Sequence, residues 1–283
     1  MRRKNRHPWL TVLFTTGMFI CAIAFLSPFV MLFLTSFKTE NQVLEPIILP
    51  DFSNLYNYAL VFASPSFYTS LRSTLVISVV TMALAILFSS MAGYMVSRGK
   101  EKIFKVTYLV FVLTLIIPGQ SNMIVLYKLG SLLHMINTVP YLILLYLAGN
   151  VAYSSLIYSA FTKTIPAALE ESAYMDGCGH FATFFRIIFP LLGPATGTVI
   201  VTEIFWYWND FQGPLIYLNG KTSTLMMEIY RFRSIVASAM PAVITQWGPV
   251  SAICFVATMP IVLFFILTQK HLIKGLVVGA VKG

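Results

Sequence analysis

The chain has 283 residues, of which 58% are hydrophobic and only 10% charged, with a formal net charge of +9. A soluble domain carries about 25% charged residues and cannot expose large apolar patches without sticking to its neighbours, so a mean hydropathy of +0.80 excludes an ordinary soluble enzyme or binding module. Several apolar stretches approach or exceed the ~20 residues that cross a bilayer as a helix, and the fold class that follows is an all-α polytopic membrane protein with six transmembrane helices.

In chain order, Met1-Arg-Arg-Lys-Asn-Arg6 begins a basic N-terminus, residues 1–8, ahead of an apolar run over about 9–34. A cleavable signal peptide has an apolar core of only ~7–15 residues, so this run predicts a first span that stays. An external segment is expected from Lys38 to Arg72, punctuated by Pro46, Pro50, Asp51 and Pro65, with a short interfacial helix over Leu55–Phe62. The second span covers about 75–96 and leads to a compact basic loop from Arg98 to Lys105.

The third span, 106–128, is interrupted by Ile117-Pro-Gly-Gln-Ser-Asn122. Proline and glycine inside a span free backbone groups that protein or water must satisfy, so the break is expected to face a cavity. Residues Met123–Thr138 are helical in pattern and are placed near the outer surface. The fourth span is 139–161, followed by a polar loop, 162–190. The fifth span is 191–211, then an external loop runs from Gln212 to Trp247, the sixth span is 249–268, and residues 269–283 form a basic tail. One transmembrane domain, 9–268, accounts for the chain.

Charge sorting orients the spans. With both termini cytoplasmic, the inner segments hold Arg2, Arg3, Lys4, Arg6, Arg98, Lys100, Lys102, Lys105, Lys163, Arg186, Lys270, Lys274 and Lys282, thirteen of the nineteen basic residues. The outer segments hold Lys38, Arg72, Lys128, Lys221, Arg231 and Arg233. Inversion would break the positive-inside rule. The excess positive charge is therefore a topology effect and not a sign of nucleic-acid binding. Cys21, Cys178 and Cys254 match no metal or disulfide spacing, the four histidines form no zinc motif, and no phosphate-binding P-loop occurs. No metal and no catalytic residue is expected.

The polar loop holds Glu170, Glu171 and Asp176, three of the ten acidic residues. Pro166 suits a helix's first turn and Gly177 its end, which predicts a short helix from Pro166 to Asp176, a sharp turn at Gly177-Cys178-Gly179, and a second helix from Phe181. A short acidic helix between spans, on the cytoplasmic side, reads as a handle.

The handle's residues resemble a known motif. Glu171-Ser-Ala-Tyr-Met-Asp-Gly177, followed after nine residues by Ile187-Ile-Phe-Pro190, resembles the EAA motif, E-A-A-x3-G-x9-I-x-L-P, of bacterial ABC importer permeases, with Ser172 in place of Ala and Phe189 in place of Leu. Trp208-Asn-Asp-Phe211, the stretch from Leu129-Gly130 to Asn137-Thr138, and the ending Lys274–Gly283 resemble the carbohydrate branch of these permeases, on the side of the maltose-type pair that carries this tail.

The resemblance implies a type I ABC importer permease-like fold and a bacterial cell membrane location. It also implies a coupling helix seated on a separate ATPase, with Glu170, Glu171, Ala173, Asp176, Gly177, Ile187 and Pro190 as coupling residues. Glu171 would meet a basic group of that ATPase. Lys274, Gly275, Gly279 and Lys282 of the tail would touch the ATPase as well. Implied partners are a second, homologous permease, two ATP-binding subunits, an extracytoplasmic solute-binding protein, a sugar substrate and membrane lipid. ATP and Mg would be bound by the partner ATPases and no cofactor by this chain.

Glu203 lies mid-span, where a charged group is costly and faces a cavity or a partner. Sugars offer C–H faces to aromatic rings and hydroxyls to polar groups, so Asn122, Glu203, Trp206, Asn209 and Asp210 are candidates for the substrate pathway. The alternative is an aromatic belt with a polar helix–helix contact. The turn Asn219-Gly220-Lys221 is a candidate contact for the binding protein, or an ordinary exposed loop. An intramembrane enzyme would need paired acids; Glu203 and Asp210 stand ~10 Å apart along a helix, too far for a dyad. Non-sugar permeases and a membrane scaffold or signalling protein are the remaining alternatives, and the scaffold explains neither handle nor tail.

Overall fold

The structure, a computed structural model, describes residues 8–43, 45, 48–218, 220, 222–239 and 247–280, and of residues 8, 40, 235–239 and 270–280 the backbone alone. Among the described residues every regular element is helical. They run α1 (Pro8–Ser36), α2 (Glu40–Val43), α3 (Tyr56–Ala63), α4 (Pro65–Arg98), α5 (Lys102–Thr114), a 3₁₀ turn (Gly119–Asn122), α6 (Met123–Leu132), α7 (Val139–Thr162) and α8 (Ala168–Met175). Then follow α9 (His180–Thr183), a π-helical turn (Phe184–Ile188), α10 (Phe189–Leu191), α11 (Gly193–Asn209), α12 (Gln212–Tyr217), α13 (Leu225–Ala239) and α14 (Trp247–Ala280).

Four stretches among the described residues are long and apolar enough to cross a membrane: Trp9–Ser36, Pro65–Arg98, Val139–Thr162 and Trp247–Gln269. Two bent pairs, Lys102–Thr114 with Gly119–Leu132 at 96° and His180–Leu191 with Gly193–Asn209 at 73°, bring the number to six if each is one span. The chemistry of each bend is local. Pro118 has no N–H to give and pushes Ile117 out of helical backbone, so α5 ends before it. Pro194 likewise has no N–H for the Pro190 carbonyl and opens α11 just after the bend at Leu192, while the helix ahead of Pro190 widens to a π turn over Phe184–Ile188.

Two helices run on past the spans expected from sequence. The second span, expected at 75–96, lies within α4, whose helix begins at Pro65, inside the segment expected to be external. Proline pre-sets the first turn of a helix as readily as it punctuates a loop, and Ser70 and Thr74 are buried on one face of that helix. The sixth span, expected at 249–268, lies within the apolar stretch Trp247–Gln269, and α14 continues beyond it as helix to Ala280, since the tail contains no proline and isolated glycines only weaken a helix. Arg2, Arg3, Lys4, Arg6 and Lys282 lie outside the described residues.

The chain divides into two compact units, Met1–Pro65 with Ile229–Met259, and Ser66–Glu228 with Pro260–Gly283. In the first, Phe33, Phe37, Phe52, Tyr58 and Phe255 form an aromatic cluster with ring centroids 5.1–6.3 Å apart. The carbonyls left free where α1 ends are taken by Asn57, whose Nδ2 donates to Ser36 O at 2.9 Å and to Lys38 O at 3.0 Å. Gly248 must be glycine for the same reason: a Cβ there would stand 2.7 Å from both Asn57 Nδ2 and Lys38 O.

The second unit holds two apolar clusters. One gathers Ile77, Tyr141, Leu142, Tyr146, Tyr207, Tyr217 and Leu218; the other gathers Tyr158, Ile165, Phe184, Ile188, Leu192, Ala195 and Val199. α4 meets α7 through small residues, as expected where lipid supplies no hydrophobic drive and close approach does the work. Ser89 Oγ donates to Val151 O at 3.3 Å, and a Cβ on Gly93 would come within 2.5 Å of Ser155 O and 2.6 Å of Tyr158 Cβ. α7 begins at Thr138, whose hydroxyl accepts from Tyr141 N, with Pro140 in the first turn.

Gly93→Ala is therefore expected to force α4 from α7 and lower stability by about 1–3 kcal/mol. Gly149→Ala, with nothing within 4 Å of its Cβ, should be neutral or slightly stabilising. Thermal unfolding of the two purified variants in one detergent separates them.

Candidate functional site

The polar loop folds as the motif's spacing suggests. Glu170 and Glu171 stand in the first turn of α8, where negative charge complements the helix dipole. The helix ends in two crossing bonds, Gly177 N to Tyr174 O at 3.0 Å and Cys178 N to Ala173 O at 2.9 Å, the Schellman arrangement that needs a left-handed residue. Gly177 supplies it with φ +80°. No neighbour crowds that position, so its glycine is required by backbone and not by packing. The turn then feeds α9 from His180, one residue before the expected Phe181.

The two glutamates, read together from sequence, separate in space. Glu170 is buried; its Oε1 takes a 2.7 Å ion pair from Arg98 Nε and its Oε2 a 2.9 Å bond from Tyr94 OH. The same guanidinium donates through Nη2 to Ile165 O at 2.7 Å. One arginine at the end of α4 thus holds both the carboxylate of α8 and a free carbonyl of the 163–167 turn. This clamp was not foreseen, although an arginine closing a span opposite a polar loop was its visible signal. Ala173 is buried beside Glu170, whereas Glu171, Ser172, Met175 and Asp176 are exposed. The outward face of α8 therefore carries two acidic groups flanking Met175, and the inward face is already occupied.

Further along the loop, Ile187 is half-buried against the second apolar cluster, with Ile188 fully buried as its anchor, and Pro190 is exposed within α10. Lys163 caps α7 with its ammonium 5.1 Å from the Tyr108 ring centroid, a cation–π contact to α5.

A second polar place lies at the other broken helix. Beside the Pro118 break is a cavity of about 400 Å³ lined by residues of the 117–126, 145–150 and 206–217 stretches, within the ~300–1,000 Å³ range of small-molecule sites. Ile117, Gly119 and Gln120 line it, so the break faces a cavity as expected. Its wall is built on aromatic contacts: Tyr146 stacks on Tyr207 at 5.3 Å and meets Trp206 edge-to-face at 5.1 Å. Asp210, where α11 ends, accepts from Tyr146 OH at 2.7 Å, from Gln212 N at 3.1 Å and from Gly213 N at 3.2 Å. Tyr217 OH reaches Met123 O at 3.3 Å and Tyr141 OH reaches Leu126 O, pinning α6 beneath the cavity.

The five pathway candidates divide accordingly. Trp206 and Asp210 line the cavity. Glu203 does not: it is 2% exposed, and its carboxylate oxygens are taken by Ser154 of α7 and Tyr207 of its own helix. Burial with two donors makes it the polar contact between helices that was the alternative reading. Asn122 and Asn209 are exposed and not among the lining residues; Asn209 Nδ2 bonds Phe205 O within α11. Sequence reasoning missed Tyr146, Asn150 and Gln120, of which only Gln120 had a signal, its place in the break. At the Asn219-Gly220 turn, Gly220 has φ +91°, as the Asn-Gly signal predicts, while Asn219 and Lys221 lie outside the described residues. Lys274, Gly275 and Gly279 fall in the helical end of α14, their side chains not described.

A multi-span helical membrane protein with an acidic loop at one pair of spans and a polar cavity at another is the class this geometry defines. The chain belongs to the family described as binding-protein-dependent transport system inner membrane component, which matches residues 85–278. It is similar to the probable starch degradation products transport system permease protein AmyC of Thermoanaerobacterium thermosulfurigenes, 32% identical over 265 residues, 93% of this chain and 94% of that one. It is likewise 32% identical over 266 residues to the melibiose/raffinose/stachyose import permease protein MelC of Bacillus subtilis (strain 168), covering 93% and 94%. Its fold matches a chain in the crystal structure of a bacterial ABC transporter involved in the import of the acidic polysaccharide alginate, with TM-score 0.77, 19% identity, and 95% and 99% coverage.

Arg98→Ala and Glu170→Ala are each expected to destabilise the protein by about 1–3 kcal/mol, because each leaves a poorly hydrated partner unpaired. The double variant should cost less than the sum by about 1 kcal/mol. A double-mutant cycle on thermal unfolding checks this, and strict additivity would mean that the clamp is not an interaction.

Proposed function

We propose that this chain is a transmembrane subunit of an ATP-driven importer for a sugar or oligosaccharide. It alternates access to a central pathway as a separate ATPase pulls on α8. The single observation that carries the energy-coupling part is the outward face of α8, where Glu171 and Asp176 are exposed while Glu170 is clamped from within. A rigid helix with a free acidic face fits a cleft with basic groups on a soluble partner, and the positive-inside count supports a cytoplasmic position for it.

Six crossings, with both termini and the tail cytoplasmic, follow if each bent pair is one span. One such chain offers one handle and half of a pore, which calls for a second, homologous permease and two ATP-binding subunits that hold ATP and Mg. The membrane family described above works with a binding protein, and the turn around Gly220 is our candidate for touching it. The tail residues Lys274, Gly275, Gly279 and Lys282 are our candidates for a further ATPase contact, and Ala173, Gly177, Ile187 and Pro190 support the coupling helix by packing and turning it. The names of relatives that carry starch products and raffinose-type sugars support saccharide as the substrate class.

Glu171→Lys is expected to abolish co-purification of the ATPase with the tagged chain and to lower saccharide uptake about a hundredfold, since a reversed charge at a contact costs several kcal/mol. Membrane insertion and thermal stability should stay at the parental level, because the side chain is exposed. Retained association with retained uptake would refute the coupling role.

A further inference from the structure

The cavity beside the Pro118 break has a chemical character that the sugar-importer reading leaves open. On that reading, we infer that it is a saccharide subsite within this chain, built for a neutral glycosyl unit and against an acidic one. Three observations support this. First, Trp206 is 49% exposed, yet its indole is held edge-to-face against Tyr146, itself stacked on Tyr207. A fixed aromatic face beside open space is what the C–H side of a sugar ring requires, and it loses little rotamer freedom on binding. Second, Gln120, Asn150 and Gln212 line the same space. Primary amides both donate and accept, which suits hydroxyls that do the same; Asn150 is held in place by its bond to the Tyr146 carbonyl at 3.1 Å.

The third observation sets the selectivity. Among the described residues that line the cavity none is lysine, arginine or histidine, and one is an aspartate. Asp210 is fixed by Tyr146 OH and by two backbone N–H groups, so it cannot swing away from an incoming ligand. A uronic acid would bring a carboxylate to a wall whose described residues offer one fixed acidic group and no cation to pair with it, and both repulsion and desolvation oppose that. A neutral hexose or pentose meets neither penalty.

The test is equilibrium binding of radiolabelled neutral trisaccharides (maltotriose, raffinose and xylotriose) and of trigalacturonate to the complete transporter complex in nanodiscs. The soluble binding protein is left out so that its own preference does not enter. At least one neutral trisaccharide should bind about tenfold more tightly than trigalacturonate. Trp206→Ala should weaken that binding about tenfold, in a complex whose assembly is verified by co-purification. Asn150→Arg, which adds the missing cation, should move the preference toward trigalacturonate, a change that a folding defect would not produce. Tighter binding of trigalacturonate by the parent complex, or unchanged neutral binding in both variants, would overturn the subsite while leaving the importer reading standing. A complex that, with its binding protein, imports no saccharide of either class would instead overturn the sugar reading itself.

Discussion

Inside a bilayer, a backbone N–H or C=O that leaves its helix finds no water, and each one left unpaired costs several kcal/mol. This protein breaks its helices repeatedly, and at several of the breaks a side chain bonds backbone groups of the broken end. Asn57 takes the carbonyls where α1 ends, Arg98 takes Ile165 O after α7, and Asp210 takes the amides that open α12. Tyr141 and Tyr217 reach the carbonyls of α6 behind the Pro118 break. Several polar residues of this apolar chain are thus placed where helices stop, among them Arg98 and Asp210 of the two candidate sites.

The same requirement gives the acidic loop its division of labour. A short helix on a turn has little packing of its own and would float unless tied down. Glu170 does this by spending its charge inward, against Arg98 and Tyr94. With that side closed, the outward residues are presented on a helix whose position is tied to the end of α4 as well as to α7 and the π turn. α8 thus touches the end of α4 through Glu170 and packs on α9 and the π turn.

At the cavity the acid has a different use. Asp210 closes a break and stands on the cavity wall, while Glu203, about two turns back along α11, is absorbed by Ser154 and Tyr207 and binds two helices together. Two carboxylates seven residues apart thus end in different surroundings, according to what packs beside each.

What could be read from sequence was what depends on near neighbours along the chain. Hydropathy marked the long helices, because crossing a bilayer is a property of one continuous segment. Proline announced the bends, and the spacing from Glu171 to Gly177 announced a helix and a left-handed turn, since capping is settled within a few residues. Pro65 was ambiguous at that range, as a proline opens helices and loops alike, and only the burial of Ser70 and Thr74 identified the start of α4. Which glutamate of the 170–171 pair turned inward, whether Glu203 or Asp210 reached the cavity, and that Tyr146 and Asn150 of α7 would join Trp206 were decided by tertiary structure. Each depends on which faces of distant helices come together, and a side chain's partner in lipid is set by that packing and not by its place in the sequence.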